Sequence, residues 1–104
     1  MSYKELDEAS SKFAMHLKSL GVKKGEIVAT LLNRSSNLII AMLGIMKCGA
    51  VYLPISTALP QNRIEYILSD SKTNIFVIDN SNSLEIENVD FVNIEEVDFK
   101  HIEI

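Results

Sequence analysis

Hydrophobic positions along this chain fall into two kinds of run, stripes at spacings of three and four and short blocks without alternation, and the two kinds take turns. Leu6, Ala9, Phe13, Leu17 and Leu20 form the first stripe, the mark of an amphipathic helix with one buried face. Ser2 and Glu5 open it as a capping box, the Ser2 hydroxyl accepting from the amide of Glu5 while the Glu5 carboxylate reaches back to the amide of Ser2. Gly21 follows the last apolar position and supplies the C-cap. Glu8, Lys12 and Lys18 lie on the opposite face and are expected in water. His16 borders the stripe as a partly exposed helix residue, with no second His, Cys or carboxylate at metal-ligand spacing around it.

Ile27 to Leu32 is a nearly unbroken apolar block, which is how a central strand of a parallel sheet reads when helices cover both of its faces. Asn33, Arg34 and Ser35 then form a loop into the stretch SSNLIIAMLGIMKCGAVYLPI, Ser35 to Ile55. Leu38, Ile39, Ile40, Met42, Leu43, Ile45 and Met46 surround that helix with apolar side chains, which predicts a helix buried on all sides. Gly49 ends it in the left-handed conformation and turns the chain back. Ala50 to Ile55 is the next buried strand.

Ser56 to Leu59 make a loop, and Pro60 opens a third helix, where its missing amide costs nothing. Ile64, Ile67 and Leu68 face inward there; Gln61, Glu65 and Ser69 face out, and Tyr66 fits either side. Asp70, Ser71 and Lys72 end the helix, and Ile75 to Ile78 form a further buried strand. Asp79 to Ser83 is a polar loop, expected to be the mobile segment. Val89 and Phe91, with Val92, suggest a shorter last strand, and from Asn93 the pattern alternates only weakly. Alternating helices and strands imply right-handed crossovers and an α/β fold of three layers, α/β/α, around a mostly parallel, flavodoxin- or Rossmann-like sheet of about four strands.

The 104 residues suffice for one domain, 1–104, that buries somewhat over 60% of its unfolded surface. The net charge of -4 argues against nucleic acid or an anionic membrane as partner. That charge is unevenly spread: the half before Leu53 is mildly basic, and the half after it is strongly acidic, with Glu85, Glu87, Asp90, Glu95, Glu96, Asp98 and Glu103 crowding the end, a solvated face in the simpler reading and an acidic docking surface in the other. A single cysteine excludes an intrachain disulfide and, with no signal-peptide pattern at the start, places the chain in a reducing cytoplasm. The apolar run from Leu38 to Met46 is far short of the roughly 20 residues that span a bilayer.

Chemistry-bearing patterns are few. Gly44 and Gly49 have the spacing of a phosphate loop, but Ala50 and Val51 stand where Lys and Ser or Thr must bind phosphate and metal, and the glycines end a helix where such a loop begins one. Gly44 instead admits a neighbouring element closely. Glu95 and Glu96 are adjacent and point apart, so they cannot share a proton site. Met42, Met46 and Cys48 read as core filling. Arg34, at a strand-to-helix loop where parallel sheets collect ligands, has two readings: an anion contact, or a solvent-facing residue beside a Ser35 or Ser36 N-cap. The second is the simpler.

IMKCGAVYLPIS resembles the second core motif of the adenylation domains of nonribosomal peptide synthetases, with Met46, Lys47, Gly49, Ala50, Tyr52, Leu53, Pro54 and Ile55 in matching places. SYKEL, Ser2 to Leu6, is similar to the first core motif. Pro60 with Arg63, Ile64, Tyr66, Asp70 and Ser71 resembles the segment that follows the second. Ser56 stands where the family has Asp, and Cys48 where it has Ala. The resemblance covers Ser2 to about Asp79. It implies the N-terminal α/β portion of an amino-acid-adenylating enzyme, whose parent uses ATP and Mg. The Ser/Thr/Gly-rich loop with its lysine, the ribose-binding aspartate and the C-terminal lysine of that family have no counterpart here. No catalytic, cofactor-binding or metal residue is therefore assigned, and the chain by itself is expected to be inactive, with the remainder of the adenylation domain as partner. Two other readings stand beside it: a free-standing flavodoxin-like module binding a ligand or protein after Leu32, Ile55 and Ile78, and a fragment of an acyl- or aryl-CoA ligase. A chain of this kind exposes apolar surface and is expected to self-associate.

Overall fold

In the computed structural model, which describes residues 2–82, 84 and 86–102, three helices and four strands alternate as expected. They are α1 (Tyr3–Ser19), β1 (Ile27–Leu31), α2 (Ser36–Lys47), β2 (Val51–Pro54), α3 (Gln61–Asp70), β3 (Ile75–Ile78) and β4 (Asp90–Asn93), with 3-10 turns at Asn80–Asn82, Ile94–Glu96 and Phe99–His101. The strands form one parallel sheet in the order β2-β1-β3-β4. The connection through α2 moves one way from β1 and the connection through α3 moves back past it. Keeping one hand through that reversal requires α2 and α3 to lie on opposite faces.

Strand alternation sorts the core accordingly. Val28, Tyr52, Ile75, Val77 and Val92 face α1 and α2, packing with Phe13, Leu17, Ile40, Ala41 and Ile45. Ala29, Leu31, Leu53, Phe76, Ile78 and Phe91 face α3, packing with Ile64 and Leu68. The result is three layers, α1 and α2, then the sheet, then α3.

Local signals act much as read. Glu5 N donates to Ser2 Oγ at 3.1 Å, but the reciprocal bond runs from Ser2 Oγ to Glu5 Oε1 at 3.0 Å instead of to the Ser2 amide. Gly21 and Gly49 have φ of +92° and +82°, the left-handed turn that only glycine adopts freely. Ala50 N closes the α2 turn on Ile45 O.

Several expectations of burial are corrected. The central helix α2 is not enclosed: Ile39 and Met46 are 43% and 57% exposed, and Met42 and Leu43 are half-buried, so Met46 is not core filling. Among the described residues α1, the sheet and the Ile94–Glu96 turn pack on α2, and the side turned from them meets solvent. β2 is likewise an edge strand rather than a buried one, with Val51 50% exposed. Lys12, expected on a wet face, is half-buried, whereas Leu20 is exposed.

The β2 edge is blunted by its own sequence. Val51 N donates to Glu26 O and Ile55 N to Thr30 O, so these alternate residues bond toward β1 and the backbones of Tyr52 and Pro54 face outward. Pro54 has no N–H to offer, and a proline at that place discourages further strand addition.

Candidate functional site

In a parallel sheet the crevice to inspect lies beyond the carboxyl ends of two neighbouring strands whose connections depart in opposite directions. Here those strands are β1 and β3. β1 ends at Leu31, followed by Leu32, Asn33, Arg34 and Ser35, and β3 ends at Ile78, followed by Asp79 and the Asn80–Asn82 turn.

Asp79 occupies the crevice and is buried. Its Oδ2 accepts from Asn33 N at 3.1 Å, and its Oδ1 accepts from Ser81 N at 3.1 Å and from Asn82 Nδ2 at 2.7 Å. Asn82 Nδ2 also reaches Asn33 Oδ1 at 3.3 Å. Next door, Asn80 N donates to Glu95 Oε2 at 2.7 Å, Asn93 Nδ2 donates to Asn80 Oδ1 at 2.7 Å, and Glu95 N donates to Asn93 Oδ1 at 3.0 Å. The loops after β1, β3 and β4 are thereby tied to one another. The segment expected to be mobile is a hydrogen-bonded turn over residues 79–82; Ser83 lies outside the described residues.

This arrangement binds protein to protein. Backbone amides and a carboxylate that would otherwise greet a ligand already satisfy one another, and a buried acceptor with partners gains nothing by releasing them. The carboxylate of Asp79 would also repel a phosphate. These residues do not fit a nucleotide. Among the described residues no three His, Cys, Asp or Glu side chains converge as metal ligands.

The motif residues sit elsewhere. Lys47 Nζ lies 2.7 Å from Asp7 Oδ1, 3.0 Å from Asp7 O, 2.8 Å from Ser10 Oγ and 2.9 Å from Ser11 Oγ, which clamps α2 to α1. Gly49 supplies the turn, Tyr52 packs on the α1/α2 core, and Pro54 lies on the free edge. Gly44 admits α1: a Cβ there would stand 2.8 Å from Phe13 Cδ2. Arg34 is exposed. Ser35 stands at the α2 N-cap without capping it, its Oγ donating to Asn33 O at 3.3 Å. Glu95 Oε2 accepts from Asn80 N at 2.7 Å, and Glu96 Oε1 lies 3.5 Å from Asn93 Nδ2, which itself donates to Asn80 Oδ1. Cys48 is buried, its Sγ donating to Ile45 O at 3.2 Å. His16 is half-buried and stacks on Phe13. A groove of about 590 Å³ floored by Leu68, Ile86 and Val89 lies at the amino ends of β3 and β4, far from the crevice.

Sequence reasoning missed Asp79 as a structural centre. Its signal was a carboxylate set immediately after the all-apolar block Ile75 to Ile78, a place where a charge is buried once neighbouring loops fold over it and must then find donors.

The sequence model of the AMP-binding enzyme family matches residues 1–102. The chain belongs to that family. It is 46% identical over 71 residues to surfactin synthase subunit 3 of Bacillus subtilis (strain 168), a match that takes in 68% of this chain and 6% of that protein. Its fold superposes on the N-terminal subdomain of NpsA from Klebsiella oxytoca with a TM-score of 0.86 at 29% identity, covering 99% of this chain and 26% of that one. A nonribosomal peptide synthetase, FmoA3, shares the fold with a TM-score of 0.89 at 23% identity over 99% of this chain and 11% of the other. This member of the AMP-binding family thus spans only a small part of the length of its relatives. No helix among its described residues is long and apolar enough to cross a membrane.

Proposed function

We propose that this chain is the N-terminal α/β portion of an amino-acid adenylation domain of a nonribosomal peptide synthetase, a scaffold on which the remainder of the domain folds, and that it does not adenylate by itself. The observation that carries the reading is the fate of the motif at Met46 to Ile55. Its residues are engaged in architecture: the Lys47 ammonium is held by α1, the Cys48 thiol is buried against Ile45 O, Gly49 is a turn and Pro54 lies on a sheet edge. The amino-acid emphasis rests on the Tyr52-Leu53-Pro54-Ile55 wording and on the synthetase relatives.

Adenylyl transfer needs fixed donors and a cation where charge develops, worth several kcal/mol of the barrier. The crevice donors are spent, its carboxylate is committed, and, among the described residues, Arg34 on the loop after β1 is exposed with no group of this chain to fix it. The parent enzyme would take ATP and Mg on groups outside these residues, in the cytoplasm. The filled crevice argues against a free-standing nucleotide-binding module. The test is amino-acid-dependent exchange of pyrophosphate into ATP by the purified 104-residue chain, with all proteinogenic amino acids and Mg present. No exchange above the protein-free control is expected; measurable exchange overturns the proposal.

A further inference from the structure

Buried polar side chains among the described residues are Ser10, Thr30, Thr73 and Asp79. Those of Ser10, Thr73 and Asp79 are hydrogen-bonded. Thr30, near the carboxyl end of β1 and 1% exposed, is the exception: its hydroxyl makes no hydrogen bond among the described residues, although a buried hydroxyl without a partner costs free energy. No fully enclosed side-chain nitrogen or oxygen among them lacks a partner, so the sliver of Thr30 that reaches solvent is its hydroxyl.

Strand alternation fixes where that hydroxyl points. Val28 and Leu32, two residues to either side, pack in the α1/α2 cluster, so Thr30 faces the same layer. α2 leaves the carboxyl end of β1 and runs back along it, which sets its first turn, and not its last, over Thr30. Asn37 in that turn shares a helical face with Ile40, Ala41, Gly44 and Ile45, the buried residues of α2, at i+3, i+4, i+7 and i+8. Its carboxamide is therefore turned inward, half-buried and also without a hydrogen bond among the described residues. Pro54, the neighbour of Thr30 in the sheet, is exposed, so the space under the turn opens at the β2 edge.

The turn is short of acceptors. Ser35 makes no capping bond and no acid stands in the first turn of α2, which leaves the Ser36 and Asn37 amides and the positive end of the helix dipole unanswered. Arg34, just before them, is exposed and makes no ion pair among the described residues. The Asp79 carboxylate is committed to Asn33, Ser81 and Asn82. α3 also begins without a side-chain cap, with Arg63 exposed in its first turn, but no buried, unbonded hydroxyl lies beneath it among the described residues.

We propose that the first turn of α2, with Thr30 and Arg34, is a binding site for a small tetrahedral oxyanion of the phosphate type. Helix amides, the Thr30 hydroxyl with the Asn37 carboxamide, and the Arg34 guanidinium supply donors from three directions. A helix N-terminus favours such anions, and the guanidinium fork matches their oxygens. A planar carboxylate has two oxygens for these donors and leaves one direction empty. The site is separate from the crevice between β1 and β3, and it does not rest on the scaffold reading.

The experiment is a titration of the 15N-labelled chain with sodium phosphate, followed by amide NMR shifts, with ionic strength held constant by sodium chloride. The Ser36 and Asn37 amides are expected to shift saturably, while sodium acetate leaves them in place. Arg34→Gln, at an exposed position, weakens binding about tenfold, as loss of a charge-assisted bond should. Thr30→Val weakens it about fivefold, and Thr30→Ser, which keeps the hydroxyl, binds like the parent. Arg63→Gln, at the start of α3, changes nothing. Should Thr30→Val unfold the chain, Arg34→Gln decides alone. Shifts that stay linear, that saturate elsewhere, that acetate reproduces, or that survive Arg34→Gln unchanged overturn the proposal. None of these outcomes depends on whether the chain adenylates.

Discussion

Lys47 Nζ on α2 stands 2.7 Å from Asp7 Oδ1 on α1, and the same ammonium lies within 3.0 Å of Asp7 O, Ser10 Oγ and Ser11 Oγ. An ammonium has only three hydrogens, so its donors are saturated by one turn of α1. The pair itself is partly exposed, at 32% and 64%, and such a pair contributes at most about 1 kcal/mol. The rest comes from Ser10, fully buried, whose Oγ also donates to Asp7 O at 3.0 Å. Lys47→Met is expected to lower unfolding stability by about 1–2 kcal/mol, orphaning part of that cluster. Asp7→Asn, which keeps the carbonyl contact, should lose only about 0.5 kcal/mol. Urea denaturation of both variants checks the order.

Gly44 is where the two helices touch. A Cβ at this position would meet Phe13 Cδ2 at 2.8 Å and Ser10 O at 3.0 Å, one a ring fixed in the core and the other backbone. Gly to Ala in a helix ordinarily gains about 1 kcal/mol, whereas overpacking costs about 1–3 kcal/mol. Gly44→Ala is therefore expected to destabilise by about 1 kcal/mol net. The loss should shrink when the same change is made in a Phe13→Leu background, which a double-mutant cycle by chemical denaturation reads directly.

Asp79 ties the loops after β1 and β3 together through one carboxylate. Asp79→Ala leaves Asn33 N, Ser81 N and Asn82 Nδ2 without their acceptor, and the expected loss is about 2–3 kcal/mol. Asp79→Asn keeps a single acceptor oxygen and should fall between. Amide hydrogen exchange supplies a local readout: protection at Asn33 and Ser81 is lost in Asp79→Ala before the helices α1 and α3 are affected.

Asp98 and His101 pair across one turn. The hydrogen bond from His101 is the largest cause holding the Asp98 carboxyl below its usual value of 3.8. A carboxyl depressed in the folded state contributes stability that is present above the unfolded value and lost as pH falls through the folded one. The effect belongs below about pH 4. His101→Gln should move the Asp98 titration midpoint, followed by NMR of its carboxyl carbon, upward toward 3.8. An unchanged midpoint would show that His101 does not set it.

Much of the fold was legible because local physics states it. The stripe Leu6 to Leu17 with its capping serine, the unbroken blocks at Ile27 and Ile75, and the glycines at 21 and 49 each specify an element or its end without help from distant residues. What α2 buries was not legible. Its sequence is apolar all round, which says only that burial would be favourable and not whether anything is there to provide it. Asp79 illustrates the same limit from the polar side. Its neighbours Asn80, Ser81 and Asn82 read as a solvated loop, and only the meeting of β1 with β3, 46 residues apart at the Asn33 bond, turned the carboxylate inward.

From the order of residues alone came the alternation of helices and strands, the parallel three-layer class and the family, because each depends on spacing and side-chain type within a few residues. The tertiary structure decided which strand is an edge, that the switch-point crevice is filled by Asp79, and that Lys47 clamps two helices. Those follow from strand order and helix placement, which bring together groups far apart in the chain and leave others, such as Met46 and Val51, half exposed.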